Sequence, residues 1–382
     1  MNPRSKPDPL RVLVAMNAFK GTLTNVQACE AVSRALTELG VTHRALPIGD
    51  GGAGTLECVE NSLGGERVSF PCSGAFGEQV QAFVLCHPNA TGPQWIFIES
   101  SQVCGYPSSP TTRDALRATS RGLGQLLNKA HEHFLPALPH YYVGLGDSAI
   151  SDAGIGMLSE IGFQFLDAGG SPLWGSAENL QQIKTISRPK QFLFEKSAFT
   201  ILCDVMNPLC GPDGSARTFS PQKGATQGQI ARIEEGMEIF AALVKKETGK
   251  QIRLQPMTGS AGGLSAAFVA FFSAQLVQGA RFLFDWIDFD HILGSYDCLI
   301  TGEGRTDKQT LAGKAPKECH DRALSLGKKL TVISGSLGPG YEMLLDHPNI
   351  VGCFASGSEP TASSALEACA KKIFRNHSVP SP

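Results

Sequence analysis

The fold is decided near the start of the chain, where residues 11–55 have the sequence RVLVAMNAFKGTLTNVQACEAVSRALTELGVTHRALPIGDGGAGT. The nearly all-apolar run at 11–16 predicts a buried parallel strand, because such strands are covered on both faces. Residues 25–39 place apolar side chains at helical spacing. A second strand at 42–48 leads through a glycine loop to a helix at 55–63. This order predicts an α/β fold with a parallel sheet, whose ligand loops follow the strands.

The same alternation returns at the C-terminal end, whereas the middle of the chain differs. Strands are predicted at 298–301, 329–334 and 350–354, with helices from about 315 and at 362–374. Between the two ends lie short alternating strands at 67–71, 80–86 and 95–99, and helices at 119–133, 230–248 and 264–278. We therefore predict a Rossmann- or flavodoxin-like parallel-sheet domain, formed by residues 1–70 and 292–382. It is interrupted by an inserted second α/β domain at 71–291.

Composition limits the partners of the protein. The 382 residues suffice for two domains, and a formal net charge of −2 gives no bulk attraction to nucleic acid or to an anionic membrane. The longest uncharged stretch, 257–280, is interrupted by Gly, Ser and Gln and does not predict a membrane span. Eleven cysteines without a CxxC pair favour a reducing cytoplasm over secretion. A homodimer is one of the assemblies that the sequence leaves open.

Four loops after predicted strands combine glycines with polar or charged side chains. They lie at 17–22, 49–55, 144–156 and 302–314, and further polar residues follow a strand at 199–204. Their candidate site residues are Lys20; Asp50, Gly51 and Gly52; Ser148 and Asp152; Asp204, Asn207 and Lys223; and Gly302, Glu303, Gly304, Arg305, Asp307, Gln309 and Lys314. Backbone N–H groups and cations hold phosphate oxygens, while carboxylates hold Mg²⁺ or accept a proton. The set therefore favours phosphoryl transfer.

Each loop also has a simpler explanation. A glycine loop is more often a turn than a phosphate cradle, Asp50 and Asp204 could cap turns, and Lys223 could be a solvated surface lysine. The loop at 302–314 is the hardest to explain as a turn. The segment GDGGAG at 49–54 matches the G-x-G-x-x-G fingerprint of nicotinamide-dependent oxidoreductases, but no acidic residue ends the next strand. No P-loop motif occurs, since Ala315 follows Gly313-Lys314.

From about Val12 to Arg375 the sequence resembles the bacterial glycerate kinase family, of the two-domain α/β glycerate 2-kinase type. The resemblance rests on several loop motifs that occur in the family's order. The matching segments are FKGTL at 19–23, PIGDGG at 47–52, GT at 54–55, DVMNPLCGP at 204–212, PQKGA at 221–225, AGGL at 261–264, TGEGRTD at 301–307, QT at 309–310 and GKAP at 313–316. The resemblance implies an ATP-dependent kinase that uses Mg²⁺ to phosphorylate D-glycerate, usually on the 2-hydroxyl, giving 2-phosphoglycerate.

The chemistry of the loop residues suggests a division of roles. Our hypothesis makes Lys20, Asp204, Asp307 and Lys314 catalytic, with Asp204 and Asp307 as Mg²⁺ ligands or general base. The cations Lys20, Arg305 and Lys314 would neutralise the substrate carboxylate and the transferred phosphoryl group. Asn207 and Gln309 would orient hydroxyl groups, and the glycines of the loops at 49–55 and 144–156 would cradle phosphate.

Some residues depart from the usual family pattern. Asn17 and Ala18 stand where family members usually have Asp-Ser, Ala53 replaces a usual Glu, and Asp147 replaces a glycine. All four positions lie in the candidate site loops. They motivate an alternative function, in which an altered or inactive family member binds a sugar acid or a nucleotide without turnover.

Overall fold

The computed structural model describes residues 10–89, 92–107, 109–308, 310, 313–359 and 361–376. In chain order its strands are β1 (Arg11–Met16), β2 (Thr42–Ala45), β3 (Glu66–Ser73), β4 (Gln79–Asn89), β5 (Gly92–Glu99), β6 (His140–Gly144), β7 (Gln164–Leu166), β8 (Thr185–Ser187), β9 (Phe199–Cys203), β10 (Gln275–Gln278), β11 (Cys298–Gly302), β12 (Arg305–Thr306), β13 (Lys329–Ser334), β14 (Ser336–Leu337) and β15 (Ile350–Ala355).

The helices are α1 (Asn25–Glu38), α2 (Thr55–Leu63), α3 (Ser101–Cys104), α4 (Arg121–Phe134), α5 (Ile155–Glu160), α6 (Ser215–Phe219), α7 (Gln227–Thr248), α8 (Ser260–Phe272), α9 (Gly279–Trp286), α10 (Phe289–Gly294), α11 (Ala315–Ser325), α12 (Glu342–Leu345) and α13 (Ala362–Asn376). Short 3₁₀ helices lie at Pro110–Thr112, Ala177–Gln182 and Pro221–Lys223. No helix of the described ranges is long and apolar enough to cross a bilayer.

The chain divides into two compact units. The first contains the described residues up to Gly49, Glu57–Leu63 and the residues from Ala280 onward. The second contains Asp50–Leu56 and Gly64–Gly279. The domain boundaries at residues 70 and 291 that we drew from the sequence stay a prediction.

The first unit is built on a parallel sheet with the strand order β15-β13-β11-β1-β2. Strand β1 lies between β11 and β2 and pairs with β11 from Val12↔Cys298 to Met16↔Gly302. Its alternate side chains enter two different cores, which explains why the strand is apolar throughout. Val12, Val14 and Met16 pack with α1 and α13 on one face. Leu13 and Ala15 pack with α9, α10 and α11 on the other face.

The second unit is built on a mixed sheet with the order β10-β9-β6-β5-β4-β3. Strands β5, β6, β9 and β10 pair in parallel, while β3 and β4 form antiparallel pairs next to β5. One face of the sheet packs against α4, α5, α7 and α8 through a large apolar core. The predicted α/β fold class is thus confirmed.

One predicted helix is wrong at its end. We expected a continuous helix over 264–278, but α8 ends at Phe272, and 275–278 form β10. Ser273 has a left-handed backbone (φ 53°), which terminates the helix, and the next residues pair in parallel with β9. The segment Gln-Leu-Val-Gln does not alternate polar and apolar residues. Its partner strand lies 75 residues earlier in the chain, since Gln275 pairs with Thr200, so local periodicity could not reveal the pairing.

Candidate active site

A cavity of about 440 Å³ lies within the first unit, at the carboxyl end of its parallel sheet. Loops that follow β1, β11, β13 and β15 line it, together with the starts of α11 and α13. The lining residues are Ala18, Phe19, Lys20, Thr22, Glu303, Gly304, Arg305, Asp307, Lys314, Gly335, Ser336, Gly357, Ser358 and Ala362. Its volume is typical of a small-molecule site.

Sheet topology explains why a cavity forms at this place. The chain leaves β1 toward α1, which packs on one face of the sheet, and leaves β11 toward α11, which packs on the other face. Strands β1 and β11 are neighbours, so the loops that follow them diverge. Such a switch point leaves a crevice beyond the carboxyl ends of the strands, where ligands bind in open α/β sheets.

The cavity has an excess of positive charge. Lys20, Arg305 and Lys314 contribute three cations, against the two carboxylates of Glu303 and Asp307. Arg305 Nε lies 3.2 Å from Asp307 Oδ2, and the guanidinium is largely exposed. Solvent screens such a pair, so it contributes little to stability, and both groups border the cavity. The cavity can therefore receive an anion.

One buried hydroxyl joins the two acidic residues of the cavity. Thr310, of which only 1% is exposed, donates its hydroxyl to Glu303 Oε1 at 2.5 Å. The same hydroxyl accepts the Asp307 N–H at 3.1 Å. Backbone bonds then join this loop to the one after β13, from Gly335 N to Glu303 O and from Ser336 N to Gly304 O. The acidic side of the cavity is thus held by bonds on two neighbouring loops.

Asn17, at the start of the first loop, has a structural role. Its side chain is buried, and its Oδ1 accepts from the Ala18 N–H at 2.8 Å and from Asn25 Nδ2 at 3.1 Å. Its backbone N–H donates to Gly302 O at 2.9 Å, which continues the pairing of β1 with β11. An amide fits this position because an uncharged oxygen accepts both bonds without a buried charge.

In the second unit, Asp152 and Lys223 are both buried, although both were predicted as binding residues. Asp152 accepts N–H bonds from Ser120, Gly154 and Gly156 and a hydroxyl bond from Ser120. Burial raises the pKa of the Asp152 carboxyl, and these donors oppose the shift. Asp152 therefore stabilises the start of α5, and its contact with a ligand stays a prediction.

Lys223 is the buried cation of this unit. Only 3% of it is exposed, and its Nζ donates to Ile150 O at 2.5 Å. Burial lowers the pKa of the Lys223 amine to about 8, while the negative charges of Asp152 and Asp204 act in the opposite direction. Because it is buried and bonded to Ile150 O, Lys223 is not a solvated surface lysine.

The segment after β9 holds Asp204, half-buried, and Asn207. The Asn207 Nδ2 donates to Asp213 O at 2.7 Å, and its backbone O accepts from Gly259 N at 3.0 Å. These bonds fix the loop near the start of α8. Ser148 is also buried, beside an isolated bridge to Gly105. Roles for Asp204, Asn207 and Ser148 in catalysis or binding stay predictions.

The glycine loop at 50–55 has internal acceptors for several of its N–H groups. Gly51 N donates to Thr55 Oγ1 at 3.1 Å, and Gly52 N donates to Asp50 Oδ1 at 3.2 Å. Leu56 N, in the first turn of α2, donates to Glu99 Oε2 at 3.0 Å. Burial raises the pKa of the Glu99 carboxyl. The binding roles of Asp50, Gly51 and Gly52 stay predictions.

The structure thus brings together the predicted residues Lys20, Glu303, Gly304, Arg305, Asp307 and Lys314 around one cavity. Gly302 lies just before them, buried at the end of β11. Gln309 is outside the described residues. Sequence analysis missed Ser336, Gly357 and Ser358 as lining residues. It also missed Thr310, whose hydroxyl bonds to Glu303 and Asp307. The signal was present for all but Thr310, since each follows a predicted strand next to a glycine.

Comparisons with known proteins give a consistent result. A family model described as "Glycerate kinase family" matches residues 12–378. The chain is 33% identical to a glycerate kinase of Halalkalibacterium halodurans over 341 residues, covering 88% of each protein. It is 30% identical to a glycerate 2-kinase of Escherichia coli, again over 88% of each. A crystal structure described as glycerate kinase 2 from Salmonella typhimurium superposes with a TM-score of 0.78 at 27% identity, covering 97% of this chain and 98% of that one. These matches favour a kinase over the oxidoreductase alternative.

Proposed function

Because this chain belongs to the glycerate kinase family, and is therefore a kinase, we propose that it transfers the γ-phosphoryl group of ATP to the 2-hydroxyl of D-glycerate. The hydroxyl oxygen forms a bond to the γ-phosphorus, and the bond to the β–γ bridging oxygen breaks. The hydroxyl proton passes to a carboxylate of the protein, and ADP leaves. The products are 2-phosphoglycerate and ADP.

The observation that supports this proposal most is the positive cavity at the switch point of the first unit. Three cations at the carboxyl end of a parallel sheet match a substrate that carries a carboxylate or phosphates. Phosphoryl transfer requires little covalent chemistry from the protein, so positioning and charge neutralisation supply most of the rate enhancement. The cavity side chains suit that task.

The proposed roles follow from charge. Lys20, Arg305 and Lys314 neutralise the substrate carboxylate and the charge of the transferred phosphoryl group. Asp307 and Asp204 are the two candidates for the general base and for a metal ligand. Asp307 is contacted by Thr310 through its backbone N–H and by Arg305 through its carboxylate. Asn207 and Gln309 are proposed to orient hydroxyl groups of the substrate.

Mg²⁺ is proposed as the companion of ATP. Across the described ranges, no three His, Cys, Asp or Glu side chains converge as ligands. Mg²⁺ commonly uses only one or two protein carboxylates, with waters and substrate phosphates completing its shell. The candidate ligand Asp307 lies at the cavity and fits that pattern, so it suits an ion that arrives with the nucleotide. Such an ion would neutralise phosphate charge.

The direct test measures ADP release from MgATP with D-glycerate, with ³¹P NMR of the product. We expect 2-phosphoglycerate from the wild-type protein. Asp307→Asn preserves the size of the side chain and removes its charge, and should lower kcat by roughly 10²- to 10⁴-fold. Lys20→Met should lower kcat/KM about 10-fold or more, because a cation at the cavity is lost.

Lys190→Met is the matched control, since Lys190 is an exposed lysine outside the candidate site. It should leave both constants unchanged. An unchanged kcat in Asp307→Asn would remove Asp307 from the scheme. Calorimetric binding of glycerate or ATP without any ADP release would instead support the alternative, a family member that binds without turnover.

A further inference from the structure

Asp147 has an uncommon backbone conformation in the loop after β6. Its φ of 60° lies in the left-handed region, which residues with a Cβ rarely adopt. Asp and Asn tolerate this region better than most residues, because their short polar side chains bond to nearby backbone. Such a conformation persists only where surrounding contacts require it. The contacts of Asp147 show what that requirement is.

The carboxylate of Asp147 joins two glycine-rich loops of the second unit. Its Oδ2 accepts the Ala53 N–H at 3.1 Å, across 94 residues of sequence. The backbones of the two loops also touch, since Gly146 N donates to Gly51 O at 2.9 Å. A Cβ at position 146 would lie 2.5 Å from Gly52 Cα, so no side chain fits between the loops. The next residue, Asp147, therefore provides the side chain that closes the junction.

This junction changes the chemistry of the G-x-G-x-x-G segment. In a dinucleotide or phosphate site, the amides of such a loop and of the following helix point at the ligand. Here the N–H groups of Gly51, Gly52 and Ala53 each donate to an oxygen of the protein itself. Two of those oxygens belong to the carboxylates of Asp50 and Asp147. A phosphate would meet these like charges at the loop.

Asp50 and Asp147 both lie close to Gly52. A Cβ at Gly52 would lie 2.7 Å from Asp147 Oδ2 and 3.2 Å from Asp50 Oδ1. The two carboxylates thus both lie near the position that a Gly52 side chain would take, and each accepts one amide of the loop. Carboxylates accept hydrogen bonds from hydroxyl groups, and at neutral pH they repel phosphate.

We propose that Asp147 is a positioning residue that acts as a built-in hydrogen-bond acceptor for the glycine loop. Its carboxylate accepts the Ala53 N–H and fixes the loop segment that carries Asp50. The loop therefore binds a hydroxyl-bearing substrate through the Asp50 carboxylate and not through its backbone amides. Glycerate, with two hydroxyls, is such a substrate, and this step rests on the proposed function. The loop then distinguishes hydroxyls from phosphates.

Two substitutions separate the possible roles of Asp147. Asp147→Asn retains an oxygen acceptor and tolerates the left-handed backbone. Asp147→Gly removes the acceptor without straining the backbone. We expect Asp147→Gly to raise KM for D-glycerate about tenfold, because the oxygen that accepts the Ala53 N–H is lost. KM for ATP and kcat should change less than about threefold. Asp147→Asn should stay within about threefold of wild type in every constant.

Asp167→Gly is the matched control. Asp167 Oδ1 accepts from Gly169 N at 2.8 Å and from Ser171 N at 2.9 Å, in a turn without predicted site residues. This variant loses the same kind of carboxylate–amide contact and should keep the wild-type KM for glycerate. An unchanged KM in Asp147→Gly would overturn the proposal. So would an equal loss in Asp147→Asn and Asp147→Gly, which would show that the acceptor geometry is irrelevant.

Amide hydrogen exchange tests the positioning without any substrate. The Ala53 amide should be protected in wild type and in Asp147→Asn, and should exchange about tenfold or more faster in Asp147→Gly. Equal exchange in all three proteins would overturn the proposal. If wild type shows no glycerate kinase activity but the exchange pattern is as expected, the proposed function fails while the positioning by Asp147 stands.

Discussion

At the scale of single residues, the most consequential case is Lys223. Sequence context could not distinguish a surface lysine from a buried one, because Pro-Gln-Lys-Gly-Ala is a polar turn in either case. In the structure the amine lies inside the second unit and donates to Ile150 O. Burial of a charged amine costs free energy, which appears as the lowered pKa of Lys223.

This lowered pKa predicts a pH dependence of stability. The folded-state pKa of Lys223 is about 8, below the ordinary value of 10.5, so the unfolded chain binds more protons between these two values. Stability must therefore rise with pH across that window. Between about pH 7.5 and about pH 10, the free energy of unfolding of wild type should rise on the order of 2 kcal/mol more than that of Lys223→Met. Urea unfolding at several pH values measures this difference. Parallel curves of unfolding free energy against pH for the two proteins would contradict the prediction.

At the scale of elements, the start of α8 shows how a helix is docked by backbone contact. Ala261, Gly262 and Gly263 all have left-handed backbone angles, and the regular helix follows them. Ala153 N donates to Gly262 O at 2.9 Å, which ties this turn to the loop before α5. The glycines permit both the conformation and the close approach, so the Ala-Gly-Gly-Leu motif has a packing role.

Gly263→Ala should therefore destabilise the protein. The residue has φ 87°, and an added Cβ would lie 2.6 Å from Leu209 Cδ1 and 3.1 Å from Ala153 Cα. We expect a loss of about 1–3 kcal/mol, measured as a lower urea midpoint at unchanged m-value. Gly228→Ala is the control, since a Cβ there meets no atom within 4 Å in the first turn of α7. It should be neutral or slightly stabilising, and an equal loss in both variants would contradict the steric explanation.

Elements with a local signal were predictable, and elements set by distant partners were not. The strand at 11–16 and the helix at 55–63 match β1 and α2, because apolar runs and helical periodicity are local. The predicted helix at 264–278 was too long at its C-terminal end, because residues 275–278 form a strand that pairs with β9. The short helix α5 was also missed. It starts within the glycine-rich loop after β6 and is stabilised by the buried Asp152.

At the scale of the whole molecule, the burial of the cysteines shows how closely each of the two units is packed. All eleven cysteines lie in the described ranges and carry thiols that form no disulfide; nine are buried, and Cys353 and Cys369 are half-buried. Burial raises the pKa of Cys353 to about 11 and raises that of Cys369, so even the half-buried thiols are poor nucleophiles at neutral pH.

A thiol titration tests this packing directly. In native buffer, Ellman's reagent should react readily with no more than two thiols per chain, and in guanidinium chloride with all eleven. The double variant Cys353→Ser/Cys369→Ser should lose the native reaction and keep nine thiols after unfolding. Rapid native labelling of a third thiol would show that one of the cores opens more readily than its burial indicates.

The sequence by itself determined the class of fold, the chemistry of the loops and the family resemblance. These properties lie in short segments, where residue type and spacing decide whether a strand, a turn or a charged loop forms. Local patterns therefore sufficed to name Lys20, Glu303, Arg305, Asp307 and Lys314, since each lies in a glycine loop next to a predicted strand or helix.

Only the tertiary structure decided which of those residues share a cavity. The order β15-β13-β11-β1-β2 differs from chain order, and β1 pairs with a strand that follows nearly 290 residues later. Parallel pairing across that separation brings the loops of Lys20 and Asp307 together, because carboxyl ends of parallel strands meet at one edge. The burial of Lys223 and the bond between Asp147 and Ala53 could not be predicted for the same reason. Both depend on neighbours in space that the local sequence does not contain.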